Sequence, residues 1–359
     1  MQSLNDFSIE QPYIMYKFFK ILIVALALFC RNNILIAQEA DSTVLRPSFE
    51  LVYTGELQTD FDRSKFVNLL RLRGELPLTR NLSFNVASVS VATSDELPLI
   101  GDLQGISSID AWNIPFALNV AGFTWNINDR HSLFAGIRSM DEDYFCSEGL
   151  ALFANPSCGG FPAVTANYAF PNYPLAAMSI HYAYDSEKLG IQASYYNGTG
   201  SYTFTGHDNV FRVCPKTDGI FALGQVEYRH KGSKYFLGAS IHDRDLLWLG
   251  GKKIRPCTWI YAEQSLTPSL MLLGGYAHAF DSDEFCKNFC ALGAKYTHKN
   301  MEFGIFSDYT RMLGVDEWAT ELTCRISTSK YLSIQPVFHI IKTDKETNCV
   351  GMLRFNVSL

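Results

Sequence analysis

The sequence predicts a transmembrane antiparallel β-barrel of about 16 strands, and three observations favour this fold class. The chain ends on Leu353-Arg354-Phe355-Asn356-Val357-Ser358-Leu359, in which large apolar residues alternate with polar ones. Only 18% of the residues are charged although 14% are aromatic, whereas about 25% charge is usual in soluble proteins. After residue 38 no run approaches the roughly 18 apolar residues that a membrane-spanning helix needs.

The final strand has an apolar face, which is unusual because a chain terminus is commonly polar and loose. In a barrel that crosses lipid, the last strand must pair with the first, since no backbone group can stay unpaired in hydrocarbon. We therefore expect Leu353–Leu359 to pair with the first strand near Ser48–Tyr53 and to close the barrel.

The N-terminal residues predict export across a membrane. Lys17 and Lys20 form a basic segment, an apolar core follows over residues 21–30, and the chain turns polar after Gln38. This order is typical of a signal peptide. We predict a signal peptide over residues 1–38, with translation starting at Met1 or Met15, and a barrel over residues 39–359. The expected location is the bacterial outer membrane.

Composition also limits the partners. Cleavage after residue 38 removes three of 30 basic and two of 36 acidic residues, which leaves a net charge of −7. An acidic balance argues against a nucleic-acid partner, because phosphate binding requires clustered cations.

Alternation of apolar and polar residues marks the individual strands. The predicted strands lie near 46–56, 64–76, 80–91, 112–126, 130–138, 175–184, 188–197, 219–230, 233–242, 256–265, 268–279, 288–297, 300–308, 317–327, 330–342 and 348–359. Fourteen or eighteen strands remain alternatives. Connections after even strands are tight, and those after odd strands are mostly longer, with conspicuous loops at 92–111, 139–174, 198–218 and 243–255. Short periplasmic turns alternating with long outer loops are typical of bacterial outer-membrane barrels.

Most charges on the strands share one parity, which predicts a polar interior. Glu227 and Arg229 alternate with apolar neighbours on strand 8, and Glu321 and Arg325 do so on strand 14. An Arg or Lys that faces the middle of the bilayer costs about 2–4 kcal/mol. We therefore expect these charges to line a lumen, either as mutually paired wall residues or as residues that contact solutes.

The longest connection, 139–174, is acidic at its start and apolar in its middle. An apolar segment of this length is costly in water, so we expect it to fold inward between strands 5 and 6 and to narrow the pore. Asp141, Glu142 and Asp143 would then face Arg71, Arg73 and Arg138 across the opening. The alternative is a solvated outer loop.

Strand 10 carries aromatic residues beside a carboxylate. Trp259 and Tyr261 share parity with Glu263, and on the lumen side they would offer stacking surfaces for sugar rings, with Glu263 bonding hydroxyl groups. A place for Trp259 in the aromatic girdle at the membrane interface is the open alternative.

The cysteines suggest a disulfide rather than a metal site. Cys146 and Cys158 flank one loop segment in a chain destined for an oxidising compartment, so they could form a loop-closing disulfide. Cys286 and Cys290 lack a third ligand at zinc-like spacing. We predict no metal and no cofactor.

The sequence resembles the carbohydrate-selective porins of the OprB type. The resemblance is carried by residues 259–264 (Trp-Ile-Tyr-Ala-Glu-Gln), 319–327 (Ala-Thr-Glu-Leu-Thr-Cys-Arg-Ile-Ser), the Gln335-Pro336 strand and Gly351-Met352-Leu353-Arg354-Phe355. It implies passive, selective diffusion of sugars across the outer membrane. It also implies contact with outer-membrane lipid and insertion by the barrel-assembly machinery, with homo-oligomerisation left open.

Three other functions compete with this one. A general, anion or peptide porin would use the same barrel with different wall residues. A barrel enzyme would need a nucleophile, a base and a carboxylate on one face; Ser240 and His242 share a face, but no Gly-x-Ser-x-Gly elbow is present. A ligand-blocked or structural barrel, such as an adhesin, would conduct no ions.

Overall fold

The computed structural model describes residues 45–243, 253–281 and 285–359, and it confirms an antiparallel barrel of sixteen strands. The predicted signal peptide lies outside the described residues. The strands are β1 Ser48–Thr59, β2 Ser64–Pro77, β3 Leu82–Thr93, β4 Ile114–Asn128, β5 His131–Arg138, β6 Ala177–Asp185, β7 Leu189–Asn197, β8 Ile220–His230, β9 Ser233–His242, β10 Arg255–Thr267, β11 Leu270–Ala279, β12 Cys286–His298, β13 Met301–Met312, β14 Val315–Ser327, β15 Leu332–Thr343 and β16 Thr347–Ser358.

The barrel closes through the predicted pairing of its last strand with its first. β16 runs antiparallel to β1, from Val52 opposite Ser358 to Thr59 opposite Gly351. Leu51 and Leu359 extend the seam by exchanging two backbone hydrogen bonds of 3.0 and 2.9 Å. The partner segment lies about four residues beyond the predicted Ser48–Tyr53. The stagger that closure imposes on tilted strands accounts for this shift.

Side chains alternate between an apolar outer face and a covered inner face, as predicted. On the outside, large apolar residues are exposed, for example Leu237 on β9 at 61%, Ile260 on β10 at 56% and Leu292 on β12 at 74%. The charged residues Glu56, Glu263, Glu317 and Glu321 point inward and are 0% exposed. An apolar surface of this extent requires an apolar environment.

The connections fall into two classes at the two ends of the barrel. The turns after even strands are short, as at residues 231–232 and 299–300, and define the short-turn end. The opposite, long-loop end carries the β3–β4 loop (residues 94–113) and the β5–β6 loop (residues 139–176). Short helical turns occur at Met140–Glu142, Leu150–Leu152, Pro156–Cys158, Pro162–Thr165 and Pro215–Asp218. No helix among the described residues is long and apolar enough to cross a membrane.

Two glycines let β4 and β5 approach closely. Gly122 lies opposite Gly136 in the strand pair, and Gly136 has a φ of +148°. A Cβ atom on Gly136 would lie 2.3 Å from the carbonyl oxygen of Ala121 and 2.5 Å from the Cα of Gly122. Backbone atoms cannot rotate out of the way, so this position requires glycine.

We predict that Gly136→Ala destabilises the barrel by about 1–3 kcal/mol, the usual cost of overpacking and backbone strain. Heat-modifiable migration in SDS gels detects the destabilisation as a lower unfolding temperature, because the folded barrel and the unfolded chain migrate differently. Gly74→Ala is the matched control, since its Cβ would meet Val86 at an ordinary 3.5 Å. Equal unfolding temperatures for the two variants would contradict the prediction.

Candidate functional site

Ion pairs bind the start of the β5–β6 loop to the strands. They form between the acids and the arginines that the sequence analysis expected to face each other. Arg73 forms an ion pair with Glu142, which also accepts a hydrogen bond from Asn119 Nδ2. Arg138 binds both oxygens of Asp143 through two nitrogens. These contacts are direct ion pairs on one side of the barrel, so they anchor the start of the loop instead of facing each other across an opening.

Arg71 completes this cluster at a longer distance. Its guanidinium nitrogens lie 3.9 Å from Asp141 Oδ2 and 3.9 Å from Glu142 Oε1. Burial raises the pKa of the Asp141 carboxyl, and the charge of adjacent Glu142 adds to this effect, while Arg71 opposes it. Because the cluster contains three arginines and three carboxylates, it is close to charge balance when all of them are ionised.

Inward carboxylates bind the backbone of the middle of the loop. Glu263 Oε1 accepts a hydrogen bond from the Gly149 N–H at 2.6 Å. Glu321 accepts from the N–H groups of Ala154 and Asn155 at 3.0 and 2.8 Å. A buried carboxylate is costly unless it is hydrogen-bonded, and the loop backbone supplies these bonds. The predicted solute-contacting residues Glu263 and Glu321 thus hold the loop.

Further polar side chains fasten the same segment. Asp308 accepts from Asn155 Nδ2 at 2.7 Å and from the Ser157 hydroxyl at 2.8 Å. Arg325 Nη1 donates to the Ala151 carbonyl at 3.2 Å, while its other nitrogens bind Glu302. Arg325, predicted to line the pore, is therefore shared between the loop and an ion pair with the neighbouring strand.

The apolar part of the loop forms a hydrophobic core inside the barrel. Phe161 packs on Phe289 and Phe145 with ring centroids 4.7 and 4.9 Å apart. Phe153 lies 5.1 Å from Phe306. Met140, Tyr144, Leu150 and Leu152 join this core, and so do inward residues of β7–β13. This part of the lumen is packed like a protein interior.

Trp259 and Tyr261 lie on the lumen side, not in an outer girdle. Both rings are buried, at 2% and 3% exposure, beneath the β5–β6 loop. Trp259 Nε1 donates to Gln225 Oε1 at 3.1 Å, and the Tyr261 hydroxyl donates to Glu263 Oε1 at 3.0 Å. Because the loop covers these rings, they pack against the loop and leave little open surface on which a sugar ring could stack.

Glu227 and Arg229 pair with each other rather than with the loop, close to the short-turn end. Arg229 Nη2 lies 2.8 Å from Glu227 Oε2, and Arg229 Nη1 lies 2.7 Å from Asp185 Oδ1. Two carboxylates therefore neutralise this cation at the rim of the lumen.

The β3–β4 loop also contacts inward residues, which the sequence analysis did not foresee. Glu317 accepts from the Leu103 N–H at 2.6 Å, and Glu56 accepts from the Ser107 hydroxyl at 2.6 Å. Lys65 Nζ binds Asp110 at 2.8 Å. A sequence signal was present: Ile100, Leu103, Ile106 and Ile109 place an apolar residue at every third position of this part of the loop.

A slot remains between the two loops and the β1–β2 wall. This cavity, of about 800 Å³, follows Glu50, Val52 and Thr54 along β1 and Lys65, Leu69, Arg71 and Arg73 along β2. From Lys65 to Arg73 the strand covers about 27 Å at about 3.4 Å per residue. Strands in outer-membrane barrels tilt by about 35–45°, so this length corresponds to roughly 20 Å along the barrel axis, which is most of an apolar band about 25 Å tall.

The charges around the slot are mixed in sign. Its cations are Lys65, Arg71 and Arg73, and its acids are Glu50, Glu96, Asp110 and Asp141. Tyr173 and Trp112 add aromatic surface. Tyr173 also joins the two loops, because its hydroxyl donates to the Ile109 carbonyl at 2.9 Å.

The predicted disulfide between Cys146 and Cys158 is wrong, since both thiols are free. The Cys146 thiol donates to the Asp141 carbonyl at 3.0 Å, whereas Cys158 is buried in the lumenal hydrophobic core. Cys286 is buried and Cys290 is exposed, which argues against a shared metal ion. No group of three or more metal-ligating side chains occurs within the part of the chain that the structure describes.

One cluster has the residue types of a hydrolase triad but not its geometry. His181 Nδ1 lies 2.7 Å from Ser194 Oγ and 3.5 Å from Asp143 Oδ2. In a triad the serine and the carboxylate bind opposite ring nitrogens, so that the ring can pass a proton between them. Here both contacts fall on the same nitrogen. Asp143 is instead held by Arg138, which binds both of its oxygens.

Comparison with solved structures connects this geometry to known proteins. The high-pH structure of Pseudomonas putida OprB has a TM-score of 0.73 and 14% identity, over 87% of this chain and 94% of that chain. The fold is that of the outer-membrane porins. The anion-selective porin from Comamonas acidovorans gives a TM-score of 0.60 and 11% identity, over 88% of this chain and 99% of that chain. No protein-family model and no curated protein sequence matches the chain.

We predict that the docking of the β3–β4 loop depends on pH through Asp102. Burial and the nearby charge of Glu317 raise the pKa of Asp102 to about 7, from an ordinary 3.8. The docked loop thus favours the protonated carboxyl. Its docking is firmest below about pH 4 and weakens as pH rises towards 7.

Single-channel recordings between pH 5 and pH 8 measure this effect as an increase in current fluctuations at the higher pH. Asp102→Asn should remove the part of the change that Asp102 causes. Asp129→Asn, in an exposed turn, should leave it intact. An identical pH response in wild type and Asp102→Asn would refute the assignment.

Proposed function

We propose that this protein is an outer-membrane porin through which small neutral solutes, foremost carbohydrates, diffuse along the slot. The observation that carries the proposal is the slot itself, which follows the β1–β2 wall from Lys65 to Arg73. Diffusion through a polar, water-accessible path requires no reaction and no cofactor.

The location in the outer membrane is supported by the outer surface of the barrel. Aromatic side chains are exposed close to the short-turn end, among them Trp125, Tyr228 and Tyr296, and others lie towards the long-loop end, among them Tyr276 and Trp318. Two aromatic belts that flank an apolar band are characteristic of barrels in lipid. In this proposal the short-turn end faces the periplasm and the long-loop end faces the outside.

The preference for carbohydrates is supported by the pairing of charges. Lys65 is held by Asp110, and Arg73 by Glu142. Cations that are already paired attract anions weakly, so an anion-selective path is disfavoured. Hydroxyl groups of a neutral solute can bond to the oxygens and nitrogens of such pairs without separating them, and Tyr173 and Trp112 offer apolar faces for the CH groups of a sugar ring.

The decisive experiment is swelling of liposomes that contain the purified protein, with a panel of sugars of increasing size. We expect monosaccharides to enter fastest and larger oligosaccharides more slowly, together with discrete channels in planar bilayers. A protein that folds, as shown by heat-modifiable migration, but forms no channels and admits no sugar would overturn the porin assignment.

A charge-selectivity prediction tests the pairing argument. Glu142→Gln leaves Arg71 and Arg73 with less negative charge beside them. We expect anion permeability to rise relative to cation permeability by roughly fivefold, which corresponds to about 1 kcal/mol for one unit charge near the path. The reversal potential in a salt gradient measures this ratio.

Glu187→Gln removes the same charge from an exposed turn and is the control. It should leave the reversal potential unchanged. A Glu142→Gln variant with wild-type ion selectivity would show that the pair does not control charge along the path.

A further inference from the structure

Phe145 has a backbone conformation that a bulky residue rarely adopts. Its φ is +59°, in the left-handed region. Within the described ranges the other non-glycine residues with positive φ are Phe61, Lys231, Lys299 and Leu313, and each lies in a hairpin connection between paired strands. Phe145 lies in the β5–β6 loop inside the barrel, so hairpin geometry does not explain its conformation. Backbone outliers of this kind tend to occur where function requires a particular arrangement.

The strained backbone places the Phe145 side chain between two separate cavities. One is the slot. The other, which we call the recess, has a volume of about 170 Å³ and is lined by Gln192, Gln225, Glu227, Lys234, Trp259 and other residues below the loop. Of the described residues, Phe145 alone lines both cavities. Tyr144, just before it, lines only the slot, and Cys146, just after it, lines only the recess.

Neighbouring aromatic rings hold the Phe145 ring in this position. Its centroid lies 5.4 Å from the ring of Trp259 and 4.9 Å from that of Phe161. Phe145 is 8% exposed, and it covers Trp259, which is 2% exposed. The ring therefore acts as a fixed wall with a cavity on each side.

We propose that Phe145 is a size-determining residue of this pore: its ring separates the slot from the recess and limits the width available to a solute. This inference rests on the proposed function, since it concerns the path that solutes take. Without the ring, the slot and the recess join into one space that includes the polar side chains of Gln225 and Glu227 and the face of Trp259.

The test compares single-channel conductance and liposome swelling for wild type and Phe145→Gly. Glycine adopts the left-handed conformation without strain, so this variant preserves the path of the loop while removing the ring. We expect single-channel conductance to rise above the wild-type value, because ions can then also cross the space that the ring fills and reach the recess. We also expect trisaccharides to gain more in entry rate than monosaccharides. Phe145→Leu, which keeps part of the wall, should fall between the two.

Phe153→Ala is the matched control, because Phe153 is another buried aromatic residue of the same loop core but lines neither cavity. It should leave conductance near the wild-type value. Wild-type conductance in both Phe145→Gly and Phe145→Leu would overturn the inference, and so would an equal rise in Phe153→Ala, which would show that a loosened loop widens the path. Absence of channels in the wild type would instead refute the proposed function.

Discussion

The structure depends on the pairing of β1 with β16. In hydrocarbon an unpaired backbone N–H or C=O group has no water to bond, so a sheet in lipid cannot keep an open edge. The seam from Leu51 and Leu359 to Thr59 and Gly351 satisfies these groups and turns the sheet into a cylinder. Once the cylinder is closed, the two-residue period of each strand assigns every side chain to the lipid or to the lumen.

Closure creates a second requirement, which the loops meet. Inward positions carry carboxylates such as Glu263, Glu321 and Asp308, and all three are buried. A buried carboxylate without partners is costly. Backbone N–H groups and polar side chains of the β5–β6 loop bind these oxygens. The polar lumen and the inward position of the loop therefore stabilise each other, and neither is explained by its own sequence alone.

The sequence predicted the strands well because their signal is local. Alternation over about ten residues identifies a strand, and the length of the next connection indicates the end of the barrel on which it lies. The roles of the lumen residues are not local. Gly149 and Glu263 are 114 positions apart, and Ala154 and Glu321 are 167 apart. Parity placed Glu321 inside and put Trp259 on the same face as Glu263, but only the structure shows that this face is the lumen and that these residues contact the loop. The contacts of the β3–β4 loop were missed because an apolar residue at every third position does not specify which part of the barrel these residues pack against.

The width of the path follows from how the loops fill the lumen, not from the strand count. A sixteen-stranded barrel is wide enough for water, yet the side of the lumen lined by β7–β13 is occupied by a packed hydrophobic core. A core of this kind is densely packed and deforms little. Loss of one of its buried aromatic side chains typically costs several kcal/mol. What remains is the β1–β2 side, where ion pairs hold the loops together with the apolar contact of Ile109 with Val67 and Leu69. The same chain segment thus closes one part of the barrel by packing and leaves a polar slot in the other. Under the proposed function, discrimination between solutes would depend on the fixed shape of this slot and on its balanced charge.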